Sequence, residues 1–308
     1  MTHPVRVVVG PLGGTGIAEA IAAVDGIEAV IVRDIAEVPA ALGEAPILVT
    51  FHWSDTWMAP GLRWIQSVSA GTDQFPLAAL AANGTALTSA RGIHEVQVSE
   101  HAIGLLLAMT RGIDTAAVQQ QTRTWKWTPV VELHGMTLGV LGLGTIGEGV
   151  ARRAAAFGMR VIGTKAHPAD YRGVAAEVFA PGETIEVFRR ADAVVITLPG
   201  GDDTRNLVGS EELEALRGGW IVNVGRGAVI DEPALVAAMR DGVLAGAALD
   251  VFATEPLPTD SPLWDLPGVL ITPHMAGASP RYGERLAALF AWNLAAFHGG
   301  GEWRNRVV

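Results

Sequence analysis

The sequence of 308 residues contains no cysteine. That absence excludes disulfides, thiolate nucleophiles and thiolate metal ligands, and leaves the redox compartment open. Charged residues make up only 18% of the chain against 49% hydrophobic ones, which argues against disorder and supplies a large core. No long basic run occurs, and the net charge is −10. Nucleic acid and anionic membrane are therefore not expected as partners, and the surplus negative charge serves solubility. No apolar run is long enough to span a bilayer; the most apolar helical stretch, Ala102 to Met109, falls far short. Met1-Thr2-His3-Pro4 lacks the charged start and long apolar stretch of a secretion signal. A soluble cytoplasmic chain is the expectation. The eight histidines show no ligand spacing, so no metal is expected.

What the chain does have is alternation. Short β-branched runs recur at Val5–Val9, Ala29–Val32, Ile47–Phe51, Ile65–Val68, Thr137–Leu141, Val161–Thr164, Ala193–Thr197, Ile221–Val224, Gly246–Leu249 and Val269–Thr272. Stretches of helical period fall between them: Gly16–Val24, Glu100–Thr110, Ile146–Phe157, Glu211–Leu216, Glu232–Arg240 and Arg281–Phe297. Strand–helix alternation predicts parallel sheets with helices on both faces. Near-continuous apolar runs such as Ala193-Val194-Val195-Ile196 suit strands buried on both sides. The strands are too many for one ordinary sheet, so two α/β domains are predicted.

One turn names a ligand. Thr137-Leu138-Gly139-Val140-Leu141 reads as a buried strand, Gly142-x-Gly144-x-x-Gly147 follows at once, and a helical pattern starts at Ile146. The first glycine permits the tight turn, the second lets backbone approach a pyrophosphate, and the third lets helix and strand pack closely. The helix N-terminus then holds the phosphates. Strand, turn and helix stand in the order that dinucleotide binding requires. A second glycine-rich run, Gly10-Pro11-Leu12-Gly13-Gly14-Thr15-Gly16, lacks the spacing, and Pro11 removes a donor; it reads as a structural turn. The strand after the glycine turn ends at Thr164, and Lys165 stands eighteen residues after Gly147, where an acid for the ribose 2′-hydroxyl would belong. No acid occurs between Thr164 and Asp170. The Thr164 hydroxyl and the Lys165 cation suit a 2′-phosphate, so NADP is favoured over NAD; the alternative is a lysine that simply faces water.

Three more segments follow buried strands: Asn223-Val224-Gly225-Arg226-Gly227, Asp250-Val251-Phe252-Ala253-Thr254-Glu255-Pro256, and Thr272-Pro273-His274-Met275-Ala276-Gly277. In a doubly wound sheet, ligands sit at the carboxyl ends of the strands, so Arg226, Asp250, Glu255 and His274 are expected to converge there. With Val68-Ser69-Ala70-Gly71-Thr72-Asp73 and Ser99-Glu100-His101, these motifs run in one order through nearly the whole chain. In them the chain resembles the D-isomer-specific 2-hydroxyacid dehydrogenases. The likeness is to the branch of glyoxylate/hydroxypyruvate reductases and 2-hydroxyisocaproate-type dehydrogenases.

The resemblance implies two Rossmann-like domains, the cofactor domain (residues 100–280) inserted into a discontinuous substrate domain (1–99 with 281–308). It implies hydride transfer between NAD(P)H and a small 2-keto acid or D-2-hydroxy acid. Arg226 matches the arginine that binds the substrate carboxylate and polarises the carbonyl, a task suited to its planar fork. His274 matches the general acid, and Glu255 the carboxylate that pairs with it and orients its ring. Ala70 and Gly71 match the loop whose N–H groups hold the substrate carboxylate. Gly142, Gly144, Thr145, Ile146 and Gly147 match the pyrophosphate turn, and Thr197, Val224, Asp250 and Gly277 match further cofactor contacts. Read singly, each residue has a structural alternative: an ion pair for Arg226, a solvent-facing Glu255, a backbone partner for His274.

Trp53, after the third N-terminal strand, either closes over the substrate side chain or packs in the core. Trp125 and Trp127 lie in a stretch that often joins the dimer contact in the family, so a homodimer is expected; core packing is the alternative. Glyoxylate, hydroxypyruvate and branched-chain keto acids all stay open as substrates. Two other readings stand beside the reductase: a formate or phosphonate dehydrogenase on the same scaffold, and a cofactor-sensing module of the corepressor kind.

Overall fold

The computed structural model describes residues 4–12 and 16–308. Of the N-terminal glycine-rich run, Gly13 to Thr15 lie outside the described residues. The chain divides into two compact units, residues 4–12, 16–94 and 278–308 forming one and residues 95–277 the other. These divisions fall a few residues earlier than 99/100 and 280/281. The physical reason at the first is that the crossing helix starts at Glu95, not Glu100.

The first unit is a parallel five-stranded sheet in the order β2-β1-β3-β4-β5. Its strands are β1 (Val5–Val9), β2 (Ile27–Ile31), β3 (Ile47–Thr50), β4 (Trp64–Ser67) and β5 (Ala86–Thr88). Three short helices connect them: α1 (Ile17–Ala22), α2 (Val38–Leu42) and α3 (Leu77–Asn83). The final helix, α10 (Tyr282–Phe297), packs on α1, as its apolar stripe requires. Leu286, Phe290 and Leu294 of that stripe join Val7, Val9 and Trp64 in one core.

The second unit holds seven parallel strands, β6 (Thr137–Leu141), β7 (Arg160–Thr164), β8 (Glu177–Phe179), β9 (Ala193–Ile196), β10 (Trp220–Asn223), β11 (Gly246–Leu249) and β12 (Val269–Ile271). Their order is β12-β11-β10-β9-β6-β7-β8. The helices are α4 (Glu95–Thr110), α5 (Ile113–Gln121), α6 (Thr145–Ala156), α7 (Thr184–Arg190), α8 (Ser210–Ala215) and α9 (Glu232–Arg240). Strands β9, β10 and β11 are buried almost throughout, as their apolar runs predict, with Asn223 at the end of β10 the one polar residue among them. One face packs Phe188 of α7 with Leu235 and Met239 of α9; the other packs Leu106 of α4 with Val150 and Ala154 of α6. Fully burying a side chain such as Phe188 contributes about 2–3 kcal/mol. The order reverses between β6 and β9, the point at which such sheets open a crevice at their carboxyl ends.

Candidate active site

The glycine turn lies at that switch point. Gly142 has φ 95, a conformation that glycine takes without strain. A Cβ on Gly147 would sit 2.2 Å from the Gly142 carbonyl oxygen and 2.9 Å from Thr197 Oγ1, so α6 can meet the turn only without a side chain there. A Cβ on Gly144 would meet nothing within 4 Å, so space stands open over the turn. Gly144 caps α6 without a side-chain bond, and the N–H groups of Thr145, Ile146 and Gly147 have no acceptor among the described residues. Three free donors at the positive end of a 12-residue helix, under open space, fit a dinucleotide pyrophosphate.

Two residues expected at the cofactor brace the turn instead with their hydroxyls. Thr164 Oγ1 accepts from the Gly142 N–H at 3.1 Å, and the side chain is buried. Thr197 Oγ1 lies 2.8 Å from the Gly142 oxygen and 3.1 Å from that of Leu141, donating to this pair. Of these groups only the Gly142 N–H has no other partner among the described residues; the Gly142 and Leu141 oxygens also accept from the N–H groups of Gly144 and Thr197, and the sequence does not show which way a hydroxyl turns. Lys165 Nζ donates to the Leu143 carbonyl at 2.8 Å, which places an ammonium against the turn itself. Val224 is buried in the core, and the Gly277 oxygen accepts a long 3.4 Å bond from Gln97 Nε2.

The carboxyl ends of β10, β11 and β12 carry the remaining polar residues. His274 Nδ1 lies 2.6 Å from Glu255 Oε2, and Glu255 Oε1 accepts from the Phe252 N–H at 2.9 Å. Glu255 is thereby fixed by one oxygen and orients the ring with the other, and His274 Nε2 has no partner among the described residues. The His274 ring is half exposed, ready to meet a ligand. The loop with Arg226 is pressed onto the loop before Glu255: a Cβ on Gly227 would fall 1.9 Å from the Phe252 carbonyl carbon. Arg226 is exposed, with one guanidinium nitrogen on the Gly225 oxygen at 2.8 Å. Buried Asn223, which the sequence reading passed over, shapes this loop: it accepts from the Gly225 N–H and donates to the Arg226 oxygen, both at 3.0 Å. An asparagine at the end of a buried strand, two residues before a glycine, was the available signal.

Asp250 is 1% exposed. Its Oδ1 accepts from Thr272 Oγ1 at 2.6 Å and the Met275 N–H at 2.9 Å, and its Oδ2 from the Ala276 N–H at 2.9 Å. His101 Nε2 stands 3.4 Å from Oδ1. Burial alone pushes this carboxyl up, but the bonds from His101, Thr272, Ala276 and Met275 outweigh it and hold it at about 2. Asp250 is therefore a pinned anion inside the turn that carries His274.

In the first unit, Ala70 and Gly71 lie on the loop after β4. Ser69 Oγ donates to the Gly71 oxygen at 2.6 Å, and Gln74 Nε2 donates to Ser69 Oγ at 3.1 Å and to the Phe51 oxygen at 2.9 Å. The N–H groups of Ala70 and Gly71 have no acceptor among the described residues, which leaves two donors for an anion. Trp53 takes the packing alternative: its ring meets Trp57 and Phe75, and its Nε1 donates to Asp55 at 3.2 Å. Phe51 and His52, two residues earlier in the same segment, are the exposed rings. Trp125 and Trp127 are exposed at 103% and 78%, so core packing within the chain is ruled out for them.

A doubly wound parallel sheet with a free-donor glycine turn at its switch point and an oriented imidazole at its carboxyl ends defines a dinucleotide-dependent dehydrogenase class. Residues 103–276 match the family described as D-isomer specific 2-hydroxyacid dehydrogenase, NAD binding domain. A glyoxylate reductase of Korarchaeum cryptofilum is 34% identical over 250 residues, covering 79% of this chain and 75% of its own. A glyoxylate/hydroxypyruvate reductase B of Yersinia enterocolitica is 36% identical over 249 residues, covering 77% and 75%. The crystal structure of an NADPH-dependent glyoxylate/hydroxypyruvate reductase from Sinorhizobium meliloti superposes with a TM-score of 0.84 at 28% identity, covering 99% of this chain and 98% of that one. The chain belongs to the D-isomer specific 2-hydroxyacid dehydrogenase family.

Proposed function

We propose that this protein reduces small 2-keto acids to D-2-hydroxy acids with a nicotinamide cofactor, NADPH in preference to NADH. The observation that carries the reaction is the 2.6 Å pairing of His274 Nδ1 with Glu255, which leaves Nε2 free on an exposed face. The cofactor, when bound, supplies the hydride. Gly142, Gly144, Thr145, Ile146 and Gly147 hold its pyrophosphate, with Gly277 further along the strand ends; the side chains of Val224 and Asp250, both buried, support those ends instead of meeting the cofactor. His274 Nε2 carries the proton to the carbonyl oxygen and takes it back in oxidation, while Glu255 keeps Nδ1 occupied and the ring in place. Arg226 binds the carboxylate and polarises the carbonyl. The N–H pair of Ala70 and Gly71 is suited to a carboxylate as well.

Lys165 supports NADPH: it brings a cation to the end of β7, and no acid stands there to meet a free 2′-hydroxyl. The relative from Sinorhizobium meliloti is NADPH-dependent by description. The names of the relatives point to glyoxylate and hydroxypyruvate as first substrates. Trp125 and Trp127, with exposed Ile113 and Val118, offer an apolar face that suits a homodimer. A cytoplasmic location fits a reductase of this kind, and among the described residues no helix is long and apolar enough to cross a membrane.

The test is oxidation of NADPH and of NADH with glyoxylate, hydroxypyruvate and branched-chain keto acids. Turnover with at least one acid is expected, faster with NADPH. His274→Gln should lose about two orders of magnitude or more in kcat while cofactor affinity holds. Tight cofactor binding without turnover of any acid would replace the reductase with a sensor.

A further inference from the structure

His101 projects from α4 and takes no part in the proposed reaction. Its Nε2 lies 3.0 Å from Thr272 Oγ1 and 3.4 Å from Asp250 Oδ1. The direction of these bonds follows from proton counting. Asp250 as a carboxylate only accepts. Thr272 has one hydroxyl proton, and at 2.6 Å from Oδ1 that proton goes to Asp250. Thr272 Oγ1 can then only accept from His101, so Nε2 bears a hydrogen whether the ring is neutral or charged. His101 is thus a donor to the Thr272–Asp250 pair.

What that pair holds is the turn of the proton donor. His274 has φ 49, a left-handed conformation that few residues with a side chain adopt. Such a conformation persists only where its surroundings fix it. Here the His274 N–H donates to the Asp250 main-chain oxygen at 2.8 Å, and the next two N–H groups, of Met275 and Ala276, close on the Asp250 carboxylate. The residue two before His274 is Thr272 itself. A carboxylate bonded only to its own turn would be free to swing with it. His101 ties that carboxylate to α4, whose Ala102, Leu105 and Leu106 are buried in the core of the unit.

We propose that His101 is a positioning residue of the reaction: through Thr272 and Asp250 it holds the turn that presents His274. The proposal rests on the reading of His274 as the proton donor. It concerns a support from a separate helix, 171 residues before Thr272 in the chain.

The test uses His101→Leu, which removes the donor, and His101→Gln, whose amide nitrogen stands near the place of Nε2. In His101→Leu, kcat should fall about tenfold or more with the cofactor saturating, because sub-ångström displacement of a reacting group is costly. His101→Gln should recover most of it. The double variant His101→Leu/Asp250→Asn should be no slower than Asp250→Asn alone, because one path carries both effects. Glu100→Gln, on the exposed side of the same helix, is the control and should match the parent.

If His101→Leu does not fold, His101→Asn, too short to reach Thr272, takes its place against His101→Gln. Equal kcat in the donor-less variant would overturn the proposal, as would failure of His101→Gln to recover a loss or multiplied losses in the double variant. If instead the reading of His274 is at fault, His274→Gln keeps its turnover; failure of the present proposal alone leaves His274→Gln slow and His101→Leu fast.

Discussion

Asp250→Asn isolates the pinned carboxylate. Asparagine keeps the shape and removes the charge, and its amide group brings hydrogens towards N–H groups that themselves donate. The environment holds the parent carboxyl at about 2 against an ordinary 3.8, because four donors outweigh its burial. That difference corresponds to a preference for the charged form of about 2 kcal/mol. A donor facing a donor adds about 1 kcal/mol. The expected loss of stability at pH 7 is therefore about 2–3 kcal/mol.

The pH dependence has a fixed sign. A carboxyl whose value is lower in the folded state contributes stability above its unfolded value, and loses it as pH falls through the folded one. For Asp250 the contribution is complete above about pH 5 and fades between about pH 4 and pH 2. Urea denaturation of parent and variant at pH 7, repeated in steps down to about pH 3, reads both quantities. The two curves should converge as the acid end is approached. A difference below about 0.5 kcal/mol at pH 7 would refute the argument, as would a larger one that does not shrink in acid.

Gly147→Ala should weaken cofactor binding about tenfold or more, since its Cβ would lie 2.2 Å from a main-chain oxygen and the helix must retreat from the turn. Titration of NADPH fluorescence measures it, and unchanged affinity would mean the turn does not touch the cofactor. Arg226→Ala should lower kcat and raise KM together, with kcat/KM down roughly 100- to 1000-fold, because one guanidinium serves both binding and polarisation; a change in only one constant would reassign it. Lys165→Asp should move the kcat/KM ratio of NADPH to NADH about 10- to 100-fold towards NADH, the worth of a charge-assisted bond to phosphate. A parent enzyme that already prefers NADH would remove Lys165 from that role.

The parts of the fold that were legible are those whose pattern is repeated along several residues. Runs such as Ala193–Ile196 and Gly246–Leu249 declare themselves because burial on both faces demands apolar residues at every position. Strands β5 (Ala86–Thr88) and β8 (Glu177–Phe179) are three residues each with a polar residue among them, too little to show a pattern; β12, equally short, stands out because Val269-Leu270-Ile271 is apolar throughout. Helices α2, α3 and α7 are not legible either; the nine residues of α5, Ile113–Gln121, have no fully buried face to mark them.

At the site the dividing line is different. The glycine turn is legible because steric exclusion is written residue by residue: no other side chain allows the approach of Gly147 to Gly142. The direction of a hydroxyl or an ammonium is not written that way. Thr164 turns to the Gly142 N–H and Lys165 to the Leu143 oxygen, which have no other partner among the described residues, while Thr197 adds a second bond to the Gly142 and Leu141 oxygens. Trp53 follows the same logic, with Trp57 and Phe75 close enough to claim it. His101 is the furthest case. Ser99-Glu100-His101 was recognisable as a motif, yet its physical meaning depends on Thr272 and Asp250, brought together only when α4 lies over β11. A proton donor and its carboxylate form a pair that residue types can suggest. The network that holds such a donor at φ 49 belongs to the sheet and its covering helix, and only the folded chain contains it.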